Sequence, residues 1–206
     1  MQGPYKTGIV MATLLEAEPF VRGLDLLLHE ETPFPVYTGK DDVLVICGIG
    51  KSNAAMAVAC LSCRFSLSRI INAGAAGCTH EKFSLGDIFQ VSRAVEYDRP
   101  HIVSKKPREM IPDTLDGLPC AVLATQDVPV TLAEKRMELS TMADLVDMEG
   151  AAVLQAAKKF GLPAYLFKIV TDTPAHEKDA DIIRNIRMTR DRLYEFCRDR
   201  VLCSLR

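Results

Sequence analysis

Six apolar runs rich in β-branched residues punctuate the chain, at 8–13, 43–47, 70–73, 88–95, 121–125 and 164–170. Each has the length and composition of a buried strand. The stretches 15–28, 52–67, 131–141, 149–160 and 179–203 read as helices. The order is roughly β-α-β-α-β-β-β-α-α-β-α, which predicts an α/β fold: a mixed, mostly parallel sheet covered by helices on both faces, a three-layer sandwich. The runs 88–95 and 121–125 have no helix between them, so they pair antiparallel or curl into a partial barrel. One helix end is unusually clear. The alanine-rich stretch 149–160 finishes on Lys158 and Lys159, which suit the negative end of its dipole, and then meets Gly161 and Pro163. Between 98 and 117 the composition shifts to Pro100, Pro107 and Pro112 with a basic run at 105–108, predicting a long surface connection or a mobile lid.

At 206 residues, 48% of them hydrophobic, the chain is expected to form a single domain, 1–206, that needs neither disulfides nor a metal to fold. Its 25 basic and 27 acidic residues leave a net charge of −2, which disfavours a nucleic-acid partner. No run approaches the ~18 apolar residues of a membrane span, and the first residues lack the apolar core of a signal peptide, so a cytoplasmic location without membrane contact is expected. Seven scattered cysteines suit reduced core thiols. Cys60 and Cys63 form a C-x-x-C, but inside a helix and without a second ligand pair, so packing is the favoured reading and no metal is expected. His29, His80, His101 and His176 have no metal-ligand spacing either.

Two glycine clusters follow strands. Cys47-Gly48-Ile49-Gly50-Lys51-Ser52 sits where phosphate loops occur, yet Val45 stands where a P-loop needs glycine and Asn53 where a dinucleotide fingerprint does. What remains is a tight turn whose backbone N–H groups can meet a polar ligand. Asn72-Ala73-Gly74-Ala75-Ala76-Gly77 leaves room for a ligand or, equally, for a close crossing of two chain segments. Glu16 and Asp172 follow the first and last strands, and parallel α/β sheets bind ligands at such C-terminal strand ends. Glu149 opens the alanine-rich helix, where the dipole alone would favour an acid. Taken singly, each acid reads more readily as structural than as catalytic. Lys168 interrupts an apolar strand and requires a carboxylate partner, expected to be Glu149 or Glu16.

Taken in order, six segments resemble the purine nucleoside phosphorylase and nucleosidase superfamily. They are the first strand through Glu16, the Gly48–Lys51 turn, the 72–77 loop, Leu85-Gly86-Asp87-Ile88, Val146-Asp147-Met148-Glu149-Gly150-Ala151-Ala152 and Lys168-Ile169-Val170-Thr171-Asp172. Within it the chain is most similar to the hydrolytic branch, the methylthioadenosine/adenosylhomocysteine nucleosidases and their relatives, because the 72–77 loop offers no cation or hydroxyl to hold phosphate.

The resemblance implies hydrolysis of a 5′-modified purine nucleoside without cofactor or metal. Asp172 would protonate or hydrogen-bond the purine near N7, with a proton affinity raised by burial, and Glu16 would activate water. Glu149 would grip the ribose against Met148, while Ile49, Ala75, Gly77, Val128 and Pro129 would line the substrate site. Val128 and Pro129 replace the phenylalanine that stacks on the base in the methylthioadenosine enzymes. A homodimer, with a partner loop over the 5′ pocket, is also implied. The alternatives are a futalosine- or adenosylhopane-type hydrolase, a phosphorylase, and a catalytically silent nucleoside-binding protein.

Overall fold

A computed structural model describes residues 7–174 and 179–205, so His176 lies outside the described residues. The first half of the chain runs β1 (Thr7–Met11), α1 (Leu14–Gly23), β2 (Leu27–Glu30), β3 (Val36–Thr38), β4 (Asp42–Ile46), α2 (Lys51–Arg64) and β5 (Ile70–Cys78). The second runs β6 (Ile88–Glu96), β7 (Arg108–Met110), β8 (Cys120–Thr125), α3 (Ala133–Leu139), β9 (Leu145–Asp147), α4 (Gly150–Lys159), β10 (Ala164–Asp172) and α5 (Asp179–Phe196), which continues through a π turn, Cys197–Leu202, into α6 (Cys203–Leu205).

All ten strands belong to one mixed sheet. Its long ladders are parallel, with β10 on β5, β5 on β1 and β1 on β4. Side-chain alternation along the central strands feeds two cores. Val10, Val43 and Val45 face α2 and α4, whereas Ile9, Met11 and Leu44 face α1 and α5. Helices therefore cover both faces, as the apolar runs require. At one end the sheet closes on itself, because β5 pairs β9, β9 pairs β8, β8 pairs β6, β6 pairs β10 and β10 returns to β5.

Several expectations need correction. The helix expected at 15–28 stops at Gly23, where Leu24 and the left-handed Asp25 turn the chain into β2, which forms a hairpin with β3. β6 and β8 run parallel, not antiparallel, and both belong to the closed end of the sheet, as the partial-barrel alternative has it; β7 from the proline-rich connection pairs antiparallel beside β6. Cys47, Cys78 and Cys197 are core thiols, but Cys63, Cys120 and Cys203 are exposed.

Helix α1 contains Pro19, which lacks the N–H that would bond the Leu15 carbonyl. Arg190 on α5 supplies the missing donor, its Nη1 lying 2.8 Å from Leu15 O. This contact ties the two helices together beside the C-terminal end of β1.

Candidate active site

The C-terminal ends of β1, β4, β5, β9 and β10 converge on one cavity of about 200 Å³. Its walls include all nine residues expected at a substrate site: Glu16, Ile49, Ala75, Gly77, Val128, Pro129, Met148, Glu149 and Asp172. Glu16, Glu149, Asp172 and Asp147 all line it, the Asp147 carboxylate being turned to Lys168, and among the described residues no lysine or arginine does.

Glu16 is fixed by a capping box. Its N–H donates to Thr13 Oγ1 at 3.3 Å, while the Thr13 N–H and hydroxyl donate to Glu16 Oε2 at 3.1 and 2.7 Å. The other oxygen, Oε1, accepts from the Ala75 N–H at 2.9 Å. Oε1 therefore keeps a lone pair for a ligand, and the carboxylate bridges the ends of β1 and β5.

Glu149 occupies the N-cap position of α4, but its side chain makes no capping hydrogen bond. Asp147 and Thr125 perform that task. The Gly150 N–H donates to Asp147 Oδ2 at 2.8 Å and the Ala151 N–H to Thr125 Oγ1 at 3.0 Å, while the Thr125 hydroxyl donates to Asp147 Oδ1 at 2.6 Å. Glu149 is thereby free to cross the cavity, where Oε1 accepts from the Gly50 N–H at 2.8 Å. Gly50 has a φ of 103°, a backbone conformation that favours glycine. Behind this turn Lys51 donates its N–H to Asp127 Oδ1 at 2.8 Å and holds Glu96 at 3.1 Å and Asp98 at 2.5 Å with its ammonium.

Burial pushes Glu149 up to about 7, with the Asp147 carboxylate acting in the same direction against the Lys168 ammonium and the Gly50 N–H. Lys168 pairs with Asp147 at 2.8 Å, both side chains 1% exposed, and not with Glu149 or Glu16 as expected. The register explains it: Lys168 faces Gly74 on β5, one strand from Asp147 on β9. Burial alone pulls the Lys168 ammonium down, but Asp147 and then Glu149 outweigh it and its net shift is upward. Burial likewise pushes the Cys47 thiol up to about 12, helped by Glu149 and Glu16, which leaves it neutral and a poor nucleophile.

At the last strand a bulge between Val170 and Asp172 sets Asp172 opposite Gly77. A Cβ on Gly77 would lie 2.7 Å from Asp172 Oδ2, so only a bare backbone admits this approach. Thr171 Oγ1 donates to Asp172 Oδ1 at 3.2 Å. The buried Arg136 guanidinium bonds Oδ2, so the acid faces a cation where burial in a plain apolar setting was expected. Segment Val128–Thr131, which lines the same cavity, leads directly into α3, which carries Arg136.

Sequence reasoning assigns no role to Asp147, Arg136, Thr171, Ile182 or Ile186. Asp147 is detectable, since a buried lysine demands an acid and Asp147 lies in the same segment as Glu149. Arg136 carries one signal, its place one turn before Leu139 on the buried side of α3.

Comparison with known proteins follows the same lines. Residues 6–125 and 121–199 match the model of a family described as the Phosphorylase superfamily. A 5′-methylthioadenosine/S-adenosylhomocysteine nucleosidase of Bacillus licheniformis is 30% identical over 196 residues, 81% of this chain and 83% of that protein. The Streptococcus pneumoniae MTA/SAH nucleosidase, crystallised with 8-aminoadenine, superimposes with a TM-score of 0.82 at 26% identity, covering 92% of this chain and 96% of the other. A futalosine hydrolase mutant of Helicobacter pylori has the same fold, with a TM-score of 0.84 at 17% identity over 94% and 97% of the two chains.

Proposed function

The chain belongs to the phosphorylase superfamily, and from that premise we propose that it is a nucleosidase, an N-glycosyl hydrolase that releases the base of a 5′-modified purine nucleoside of the methylthioadenosine/adenosylhomocysteine type. One observation carries the choice of hydrolysis over phosphorolysis: Glu16, Glu149 and Asp172 line the cavity, and no cation among the described residues lines it with them. An incoming phosphate dianion would meet several carboxylates with no donor of opposite charge, which a neutral water does not.

Breaking an N-glycosidic bond places positive charge on the sugar and negative charge on the departing purine. The carboxylates on the cavity wall favour the first. Asp172 takes the purine near N7, where a shared proton offsets the second, with Val128 and Pro129 as the wall for the base. Glu16 uses the open lone pair on Oε1 to orient water and accept its proton, as the base carboxylate does in inverting glycosidases. Glu149 accepts from the ribose hydroxyls once ionised, with Met148 against the sugar.

The same reading includes a homodimer. Ile49 and Val128 at the cavity mouth are more than half exposed, and Ile102 and Val103 in the 97–107 connection are 83% and 94% exposed, apolar surface that a second copy would cover. Seven free thiols suit a reducing, cytoplasmic setting. Among the described residues no helix is long and apolar enough to cross a membrane.

Base release from methylthioadenosine, adenosylhomocysteine, futalosine, adenosine and inosine, followed by chromatography with and without phosphate, tests the proposal. Phosphate-independent release that falls at least ~10²-fold in Asp172→Asn is the expected result. Release that requires phosphate, or none from any of the five, overturns it.

A further inference from the structure

Asp172 is held from behind. Arg136 is buried on α3 and does not line the cavity. Its guanidinium spans two partners at the closed end of the sheet: Nη2 donates to Asp172 Oδ2, and Nη1 donates to the Cys78 carbonyl at 2.7 Å. Nε, also buried, has no hydrogen-bond partner.

Stability does not account for an arginine here. The other buried residue of α3, Leu139, packs with Ala124, Val130, Ala143 and Val146 in an apolar cluster. Burying an arginine with one N–H unsatisfied is unfavourable, and apolar replacements of buried ion pairs are often neutral or stabilising. The surroundings instead accommodate the pair. Gly77 leaves open the space where a Cβ would lie 2.7 Å from Asp172 Oδ2 and 3.1 Å from Arg136 Nη1, and the β10 bulge delivers Asp172 to that spot.

We propose that Arg136 is the positioning residue of Asp172, clamping Oδ2 to the Cys78 carbonyl through one guanidinium so that the carboxylate meets the purine in a fixed plane. The inference rests on the nucleosidase reading for its consequence in turnover, but not for its consequence in purine binding. A planar fork bonded to two fixed acceptors sets an orientation that a lysine ammonium, a point charge, sets less well. Misplacement of a reacting group by about 1 Å costs on the order of 10²-fold in rate.

The test measures base release and, separately, calorimetric binding of adenine and hypoxanthine to wild type, Arg136→Lys, Arg136→Met, Asp172→Asn and the double variant Arg136→Met/Asp172→Asn. The double variant removes both charges together and so leaves no buried charge unpaired, which keeps the comparison open if Arg136→Met does not fold. The expected pattern is a kcat loss of ~10²-fold in Arg136→Met with KM changed by less than ~3-fold, and partial recovery in Arg136→Lys. In the Asp172→Asn background the arginine substitution adds no further loss, because the group it positions is already gone. The same non-additivity is expected in the affinity of the purine that binds. If wild type binds a purine but releases no base, the nucleosidase reading fails, while a purine affinity that drops in Arg136→Met and in Asp172→Asn without adding upholds the positioning role. Equal losses from the arginine substitution with and without the Asp172 carboxylate, a purine affinity unchanged by it, or no purine binding by wild type would each overturn it.

Discussion

Replacing Glu149 with glutamine should stabilise the protein at alkaline pH while weakening its activity. In the folded chain burial and the neighbouring Asp147 carboxylate raise Glu149 from 4.5 to about 7. The folded state therefore binds this proton more tightly than the unfolded chain does. Stability from this group is fully present below its unfolded value and is lost as pH rises through 7. At ~1.4 kcal/mol per pH unit the loss reaches about 3 kcal/mol by pH 8, against about 1 kcal/mol at pH 5. Glutamine cannot ionise, yet its carbonyl can still accept the Gly50 N–H, so the variant escapes the loss without orphaning that donor. For a chain of this length the gain corresponds to a Tm about 6–12 °C above wild type at pH 8 and far less at pH 5. Thermal unfolding of both proteins from pH 5 to pH 8 at constant ionic strength reads the difference directly, other titrating groups being common to both. A gap that stays constant or narrows with pH would refute the reasoning. In the same variant kcat/KM should drop by roughly 10–100-fold, the scale of a hydrogen bond to a charged acceptor, and the wild-type rise in kcat/KM through pH 7 should flatten.

Three further outcomes follow from the geometry. Lys168→Met strands the Asp147 carboxylate in the interior and should cost about 3–5 kcal/mol in denaturant unfolding, with Lys168→Met/Asp147→Asn recovering most of it; a single variant of wild-type stability contradicts the pairing. Gly77→Ala drives a methyl to 2.7 Å from Asp172 Oδ2 and should lower base release by about 10²-fold; near-normal turnover would show that the approach tolerates a side chain. Ile102→Asp should shift sedimentation from dimer to monomer, and an unchanged species would remove the 97–107 connection from the interface.

The central architecture is legible because its signal is redundant. Strands such as 43–47 and 164–170, apolar on both faces, require helices above and below, and the acids that follow β1 and end β10 reach the same end of a parallel sheet wherever the remaining strands fall. The short edge strands β2 and β3 are not legible, since Leu27 and Leu28 are largely exposed and continue the apolar pattern of α1 past Gly23, the single residue that marks the break. Nor is the parallel pairing of β6 with β8, which depends on a connection of irregular composition rather than a crossover helix.

Among the charged residues the division has a physical basis. A carboxylate at a strand end declares itself through backbone position, because the groups that hold it are backbone N–H groups, which every residue but proline supplies, as Ala75 and Gly50 do for Glu16 and Glu149. A buried cation declares itself only when its surroundings are uniformly apolar. Lys168 lies within such a run, and the run by itself demands a carboxylate for it; which carboxylate depends on strand order, because Asp147 comes from β9, with β5 between it and β10 at the closed end. Arg136 stands between Lys135 and Glu138, which face outward and are bonded to each other at 2.9 Å. The inward turn of Arg136 is dictated by Asp172, 36 positions away and reachable only because Gly77 lies between them. Local patterning thus places the groups proposed to meet the substrate, while the group that fixes one of them in place emerges only from the contact itself.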